Sequence, residues 1–182
     1  MGVGKSSIGR TLAGMIDRPF VDSDNVVVEH LGMSIAAMFG IGEEKRFRQM
    51  EADVISELVT DVPPKVIALG GGALGNPATL QMLHDRALLV HIRLPWESLE
   101  PLIPKLRRGR PLLESSTTEE IHALFVSRDE LYSSCHLTVE LRREGVQRSA
   151  DSLLAALAPY GIEEVSKLHP TTSLPFLSAG QE

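Results

Sequence analysis

The chain has 182 residues, one cysteine (Cys135) and a net charge of −6, with 18 Lys and Arg against 24 Asp and Glu. Its length fits one domain that needs no disulfide or metal for stability, and 43% hydrophobic residues exclude a disordered or fibrous chain. The lone cysteine favours a reducing, cytoplasmic compartment, and the acidic balance argues against nucleic-acid and membrane partners.

Helical and strand patterns of apolar residues alternate along the chain. In chain order they predict a helix at 5–16, a strand at 19–21, a helix at 43–60, a strand at 66–69, a helix at 77–83, a strand at 88–92, a helix at 96–106, a loop at 107–116, a helix at 118–131, a strand at 137–141 and a helix at 150–157. This alternation predicts an α/β fold: a three-layer, doubly wound parallel sheet with helices on both faces. We place the domain at 1–160 and expect 161–182 to be a poorly ordered tail.

The first residues match the second half of the phosphate-loop motif G-x-x-x-x-G-K-[ST]. They are Gly2, Val3, Gly4, Lys5, Ser6 and Ser7. Glycines let backbone N–H groups surround a phosphate, and the following helix presents its positive N-terminus. The motif predicts that Lys5 reaches the β- and γ-phosphates of ATP and that Ser6 ligates Mg²⁺. The alternative is that the glycines only precede a helix and that Lys5 binds no phosphate.

The first glycine of that motif, and the strand that feeds the loop, would fall before Met1. Such a strand is normally interior to the sheet, and its loss leaves backbone groups of its neighbours unpaired. We therefore expect Met1 to be a loop methionine and the native protein to begin upstream. Gly2 and Ser6 also fit the myristoylation pattern, which we set aside because no polybasic second signal adjoins them.

Two acids, Asp22 and Asp24, follow a predicted strand, where open α/β sheets bind ligands. The alternative for this pair is an Asx turn or a helix N-cap. In the next predicted helix, Arg48 stands three residues before Glu51. An exposed ion pair at that spacing contributes only about 0.2–0.5 kcal/mol, and it is the plain alternative to a functional arginine.

Three consecutive glycines, Gly70, Gly71 and Gly72, follow a predicted buried strand. A tight turn needs one or two glycines, so three favour close approach of the backbone to a ligand. Further along, residues 105–110 hold four cations and no acid, which suits a solvated face, a nucleic-acid patch or a mobile lid. With only 4% aromatic residues in the chain, the nucleic-acid alternative is disfavoured. Arg128, beside two acids, could equally be a solvated helix residue.

Six motifs together resemble the shikimate kinase family of small P-loop kinases, from Gly2 to about Leu157. The motifs, in order, are the phosphate loop, Asp22-Ser23-Asp24, Phe47-Arg48 with Glu51, Gly70-Gly71-Gly72, Arg110-Pro111-Leu112-Leu113, and Arg128 before Leu131-Tyr132. The resemblance implies a P-loop nucleoside kinase-like fold with a lid segment. It also implies ATP-dependent phosphorylation of the shikimate 3-hydroxyl, with Mg²⁺, in chorismate and aromatic amino-acid biosynthesis.

For the reacting groups, the resemblance implies that Asp24 accepts substrate hydroxyls beside the attacking oxygen. Asp22 holds Mg²⁺ together with Ser6. Arg110 is the lid arginine that closes over the phosphates, so that Lys5 and Arg110 neutralise charge on the transferred phosphoryl group.

For the acceptor, the resemblance implies a carboxylate clamp made by Arg48, which Glu51 orients, and Arg128. The glycines Gly70–Gly72 bind the substrate as well. Arginine suits this task because its guanidinium fork matches a planar carboxylate.

Two other functions stay open from the sequence. One is a P-loop kinase for another small acid such as gluconate, since paired arginines suit any carboxylic acid. The other is a kinase-like fragment or module that binds a ligand without turnover, because the first strand is missing. We expect a monomer whose partner is shikimate, with neither nucleic acid nor membrane.

Overall fold

The computed structural model describes residues 2–107, 113 and 116–165. Its strands are β1 (Phe20–Asp22), β2 (Val66–Ala68), β3 (Val90–Arg93) and β4 (Leu137–Glu140). Its helices are α1 (Lys5–Met15), α2 (Ser23–Leu31), α3 (Ile35–Gly40), α4 (Glu44–Thr60), α5 (Pro77–Arg86), α6 (Trp96–Leu99), α7 (Ile103–Arg107), α8 (Thr118–Tyr132) and α9 (Val146–Leu157). The predicted α/β class, with parallel strands among helices, is confirmed.

Several helix boundaries follow from local capping signals. Asn76 accepts hydrogen bonds from the N–H groups of Ala78 and Thr79, and Pro77 occupies the first helical position, so α5 begins as predicted. A capping box between Thr117 and Glu120 starts α8. These residues satisfy the backbone donors that a helix N-terminus otherwise leaves free.

Several helices differ from the sequence prediction. Helix α2 was not predicted, because its run of three valines from Val26 to Val28 has low helix propensity, and the six-residue helix α3 was not predicted either. Burial overrides that preference, since Val27 and Met38 are fully buried in one cluster with residues of α4. Helix α9 begins at Val146, four residues before the predicted start.

The four strands form two separate two-stranded parallel sheets rather than one continuous sheet. In the first, Phe20 to Asp22 pair with Val66 to Ala68. In the second, Val90 to Arg93 pair with Leu137 to Glu140. Strands β2 and β3 thus each have one edge without a partner strand in the described part of the chain.

Between the two sheets lies a cavity of about 980 Å³ that both β2 and β3 line. Apolar side chains from helices enclose it, among them Leu12 and Ile16 of α1, Leu83 of α5 and Leu153 of α9. The cavity continues to the loop at Gly2, so the space between the strands opens into the region where the predicted phosphate loop lies.

Helices α1 and α9 form the largest apolar cluster of the fold. It includes Ile8 and Leu12 of α1 and Leu153 and Leu157 of α9, and side chains of both β2 and β3 pack against it. This shared cluster holds the two sheets together, although no strand among the described residues joins them. No helix in the described ranges is long and apolar enough to cross a membrane.

Candidate active site

The predicted phosphate loop leads directly into helix α1, which begins at Lys5. Gly2 and Gly4 have φ angles of 68° and 82°, a left-handed backbone that residues with a Cβ rarely adopt. Gly4 caps the helix without a side chain, and the first turn holds no acidic residue. The first N–H groups of α1 are therefore available to an anion, with the helix dipole favouring negative charge.

Oxygen donors suited to a divalent cation lie beside this helix end. The Ser6 hydroxyl donates to Asp22 Oδ2 at 2.5 Å, and Lys5 Nζ lies 3.9 Å from the same oxygen. The other carboxylate oxygen of Asp22 accepts the Asp24 N–H at 3.1 Å, which also makes Asp22 the N-cap of α2. A hydroxyl and a carboxylate oxygen are the hard ligands that Mg²⁺ prefers, so this donor set fits the predicted metal.

Ser23, between the two acids, connects β1 to the glycine loop. Its side chain is fully buried, and its hydroxyl oxygen accepts the Gly70 N–H at 3.0 Å. A Cβ at Gly70 would collide with Asp24 Oδ1 and would lie 2.5 Å from Glu51 Oε1. Glycine is therefore required at this position, because the two carboxylates fill the space where a side chain would begin.

Arg48 is held in place by one buried acid and two aromatic rings. Its Nη1 donates to Glu51 Oε2 at 2.8 Å, and only 4% of the Glu51 side chain is exposed. The guanidinium carbon lies 5.7 Å and 5.1 Å from the ring centres of Phe39 and Phe47. The ion pair at this spacing is thus present, but it is buried on one side rather than a solvated surface pair.

Burial raises the pKa of two carboxyl groups that face each other across Gly70. The pKa of Asp24 is raised by desolvation, with Asp22 adding repulsion, although Lys5 opposes the shift. The pKa of Glu51 is raised by desolvation against the opposing hydrogen bond from Arg48. Its Oε1 atom is buried with no hydrogen-bond partner in the described structure. The site therefore contains two desolvated carboxyl groups and one buried carboxyl oxygen that the described fold leaves without a hydrogen-bond donor.

Replacing Asp24 by asparagine is expected to raise the melting temperature at pH 7. A raised folded-state pKa means that the carboxyl group stabilises the fold fully below its ordinary value of 3.8. That contribution is lost as pH rises through the folded pKa, and at neutral pH the ionised group opposes folding. Calorimetry at pH 7 and at lower pH measures the gain of Asp24→Asn, which should shrink as the pH falls.

The control for this substitution is Asp53→Asn, since Asp53 is exposed on the outer face of α4. We expect this control to change the melting temperature little. A stability of Asp24→Asn equal to or below that of the unaltered protein at pH 7 would contradict the expectation.

The glycine loop after β2 brings the two predicted carboxylate-binding arginines together. A Cβ at Gly71 would lie 3.1 Å from Arg128 Nη1, and one at Gly72 would lie 2.5 Å from Arg48 Nη1. Two guanidinium groups from different helices therefore contact consecutive glycines. Because guanidinium forks match planar carboxylates, this arrangement can bind a carboxylic acid from two sides.

Helix α8, which carries Arg128, is fixed to the strands by a second set of charges. Arg93 at the end of β3 donates from Nε to both carboxylate oxygens of Asp129, at 3.0 and 3.1 Å. Its Nη1 also donates to Glu140 of β4 at 2.8 Å. Sequence reasoning did not identify Arg93 as part of the site, because no local motif indicates a contact between residues so far apart.

Every predicted site residue that the structure describes lines the one cavity of about 980 Å³. They are Gly2, Val3, Gly4, Lys5, Ser6, Ser7, Asp22, Asp24, Arg48, Gly70, Gly71, Gly72 and Arg128. The predicted lid arginine, Arg110, lies outside the described residues. At the ends of that segment, Arg107 Nη2 donates to the Ser116 carbonyl at 2.8 Å. Sequence reasoning also missed Ser23, whose buried hydroxyl carries no signal in a short polar run.

A family model described as shikimate kinase matches residues 1–158 of the chain. The chain is 37% identical over 164 residues to the shikimate kinase of Burkholderia thailandensis, covering 89% of this chain and 88% of that protein. It is 30% identical over 157 residues to the shikimate kinase of Bacillus licheniformis, covering 86% and 89%. A solved shikimate kinase from Acinetobacter baumannii, in complex with shikimate, matches with a TM-score of 0.79 and 30% identity, covering 90% of this chain and 91% of that one.

Proposed function

Because the chain belongs to the shikimate kinase family, we propose that it transfers the γ-phosphoryl group of ATP to the 3-hydroxyl of shikimate. The products are 3-phosphoshikimate and ADP, in the route to chorismate and the aromatic amino acids. The observation that carries this proposal is the shared cavity, in which two arginines converge on the glycine loop beside Asp24 and the phosphate loop.

The phosphate loop binds ATP. The backbone N–H groups at residues 2–7 surround the phosphates at the N-terminus of α1. The family resemblance assigns a phosphate-binding role to Arg110 as well, which lies outside the described residues. Lys5 neutralises charge on the β- and γ-phosphates. Its ammonium lies 3.9 Å from Asp22, close enough for the carboxylate to hold the lysine near the loop.

Ser6 and Asp22 are the residues that would hold Mg²⁺. When bound, the ion supplies positive charge to the phosphate oxygens and lowers the repulsion that an attacking oxygen meets. The 2.5 Å hydrogen bond between Ser6 and Asp22 keeps both oxygens together, and the Asp24 N–H keeps the Asp22 carboxylate oriented.

Arg48 and Arg128 fix the carboxylate of shikimate, and the backbone of Gly70–Gly72 lies against the substrate. Glu51 and the two aromatic rings keep Arg48 in one orientation, so little side-chain entropy is lost on binding. Asp24 accepts a hydrogen bond from the 3-hydroxyl of shikimate. It takes the hydroxyl proton as the hydroxyl oxygen forms a bond to the γ-phosphorus. The bond from phosphorus to the ADP oxygen breaks, and most of the catalysis comes from positioning and charge neutralisation.

The raised pKa of Asp24 is consistent with this role. Desolvation raises the pKa of Asp24 and so makes its carboxylate a better proton acceptor than a solvated aspartate, while Lys5 opposes the shift. We further propose a cytoplasmic monomer with neither nucleic-acid nor membrane partners, supported by the net charge of −6 and the single cysteine.

A coupled assay of ADP release tests the function. With ATP and Mg²⁺, we expect turnover on shikimate and little or none on gluconate, quinate or nucleoside monophosphates, because the relatives that share this arrangement of residues are shikimate kinases. Turnover on one of those rivals without turnover on shikimate would overturn the proposal. An absence of turnover together with tight shikimate binding would support the non-catalytic alternative.

A further inference from the structure

Tyr132, the last residue of α8, makes a contact that the proposed mechanism does not use. Its hydroxyl donates to the Gly71 carbonyl at 2.6 Å, across 61 positions of sequence. The side chain is half-buried, and its ring lies edge-on to His91 with ring centres 5.1 Å apart. Burial raises the pKa of the phenol, so it remains a protonated donor at neutral pH.

Tyr132 and Arg128 lie one helical turn apart on α8, on the same face of the helix. Both reach the same glycine, since Arg128 Nη1 lies 3.1 Å from the Cβ position of Gly71. One helix therefore supplies both a guanidinium beside the glycine loop and a hydroxyl that holds its backbone.

The hydrogen bond from Tyr132 to the Gly71 carbonyl determines the orientation of the Gly71–Gly72 peptide group. The Gly71–Gly72 peptide bond is trans, so the Gly72 N–H points away from the Gly71 carbonyl, and hence away from Tyr132. In the described structure, the Gly72 N–H donates to no other group. The neighbouring peptide groups have bonds of their own, since Ser23 accepts the Gly70 N–H and the Gly70 and Gly72 carbonyls accept from Ala73 and Gly75. The Gly71–Gly72 peptide group depends on Tyr132 instead.

We propose that Tyr132 is a positioning residue that orients the Gly71–Gly72 peptide, so that its free N–H donor faces the acceptor carboxylate between Arg48 and Arg128. This inference rests on the proposed function, because it assigns the N–H to the binding of shikimate. In this role the tyrosine acts through the loop backbone, by its hydrogen bond to the Gly71 carbonyl.

Tyr132→Phe tests the proposal, because it removes the hydroxyl and keeps the ring that packs against His91. We expect KM and Kd for shikimate to rise about tenfold, the usual effect of losing one hydrogen bond and the order it imposes. KM for ATP should stay within about twofold, and kcat at saturating shikimate should fall much less than the affinity. Calorimetric titration of shikimate into the intact protein measures Kd, and the coupled assay measures KM and kcat.

The matched control is Tyr160→Phe, since the Tyr160 hydroxyl donates to the His136 carbonyl at 3.4 Å, outside the residues of the cavity. We expect it to leave both affinities unchanged. A lowered melting temperature of Tyr132→Phe with unchanged shikimate affinity would overturn the proposal and leave the tyrosine a structural role only. Equal losses for ATP and shikimate would overturn it too. If the unaltered protein neither binds nor phosphorylates shikimate, the proposed function is wrong, and the role of Tyr132 is wrong with it. If the unaltered protein is active and only the Tyr132→Phe result disagrees, the role of Tyr132 alone is wrong.

Discussion

Replacing Arg48 or Arg128 by alanine is expected to weaken shikimate binding by about 2–5 kcal/mol, or at least about 30-fold in Kd. Each guanidinium abuts a glycine of the same loop, so an acceptor carboxylate there would be bound by both groups and largely removed from water. Removing either partner leaves a desolvated negative charge with half of its donors. ATP binding at the N-terminus of α1 should change little.

The two substitutions should differ in their effect on stability. Arg48→Ala leaves Glu51 buried without its cation, which we expect to cost on the order of 2 kcal/mol, because the raised pKa of Glu51 lets it take up a proton. The double variant Arg48→Ala with Glu51→Gln should recover most of that stability without recovering shikimate affinity. Calorimetric titration and thermal unfolding measure the two quantities independently.

Arg46→Ala is the control for this series, because Arg46 is exposed on the same helix as Arg48. It should leave shikimate affinity within about twofold of the unaltered value. If Arg48→Ala and Arg128→Ala lowered only the melting temperature, the carboxylate clamp would be wrong and the arginines would serve the fold alone.

Filling the apolar space between β2 and β3 with an added strand is expected to raise the stability of the fold substantially. An empty apolar space inside a fold costs about 24 cal/mol per Å³, so the part of the cavity that apolar side chains enclose between β2 and β3 lowers the free energy of unfolding by several kcal/mol. The edges of β2 and β3 that face this space also have no partner strand in the described structure. An extended apolar segment, parallel to both strands, would bury its side chains on both faces and pair with both edges.

A designed extension of about six Val, Ile and Leu residues, joined before Met1, tests this expectation. The cavity reaches Gly2, so the carboxyl end of such a strand would continue into the phosphate loop. We expect a gain of at least about 3 kcal/mol, which corresponds to roughly 6–12 °C in melting temperature for a chain of this size. Differential scanning calorimetry measures the gain against a Gly-Ser extension of equal length. Equal melting temperatures for both extensions would show that the cavity does not accept a strand.

The local elements of the fold were largely predictable from sequence. The strands at Val66 and Val90 were indicated by short apolar runs, and α5 by Asn76 with Pro77, because these signals act on neighbouring residues. Helix α2 was missed because tertiary burial of Val27 outweighs the low helix propensity of a valine run, and the short helix α3 was missed because burial of Met38 in the same cluster stabilises it. Which strands pair with one another in the two sheets was also not predicted, since strand pairing joins segments far apart in the chain.

The residues that form the candidate site were predictable from sequence, but the residues that hold them in position were not. A phosphate loop, two acids after a strand and a triple glycine each have a chemical meaning that follows from spacing alone. Ser23, Arg93 and Tyr132 have no such signal, since their partners lie 36 to 61 positions away. Local patterns do not encode contacts of that separation.

The sequence by itself determined the α/β class, the anion-binding loop ahead of α1 and the residues that resemble a shikimate kinase, because helix periodicity, capping and motif spacing are properties of short segments. Tertiary structure alone decided the environment of those residues. From their spacing, Arg48 and Glu51 are expected to form an ordinary surface ion pair. In the folded chain only 4% of the Glu51 side chain is exposed, and Arg128 contacts the same glycine loop as Arg48. The difference lies in desolvation, because a charge pair acquires a large effect on binding only where the fold excludes water from it.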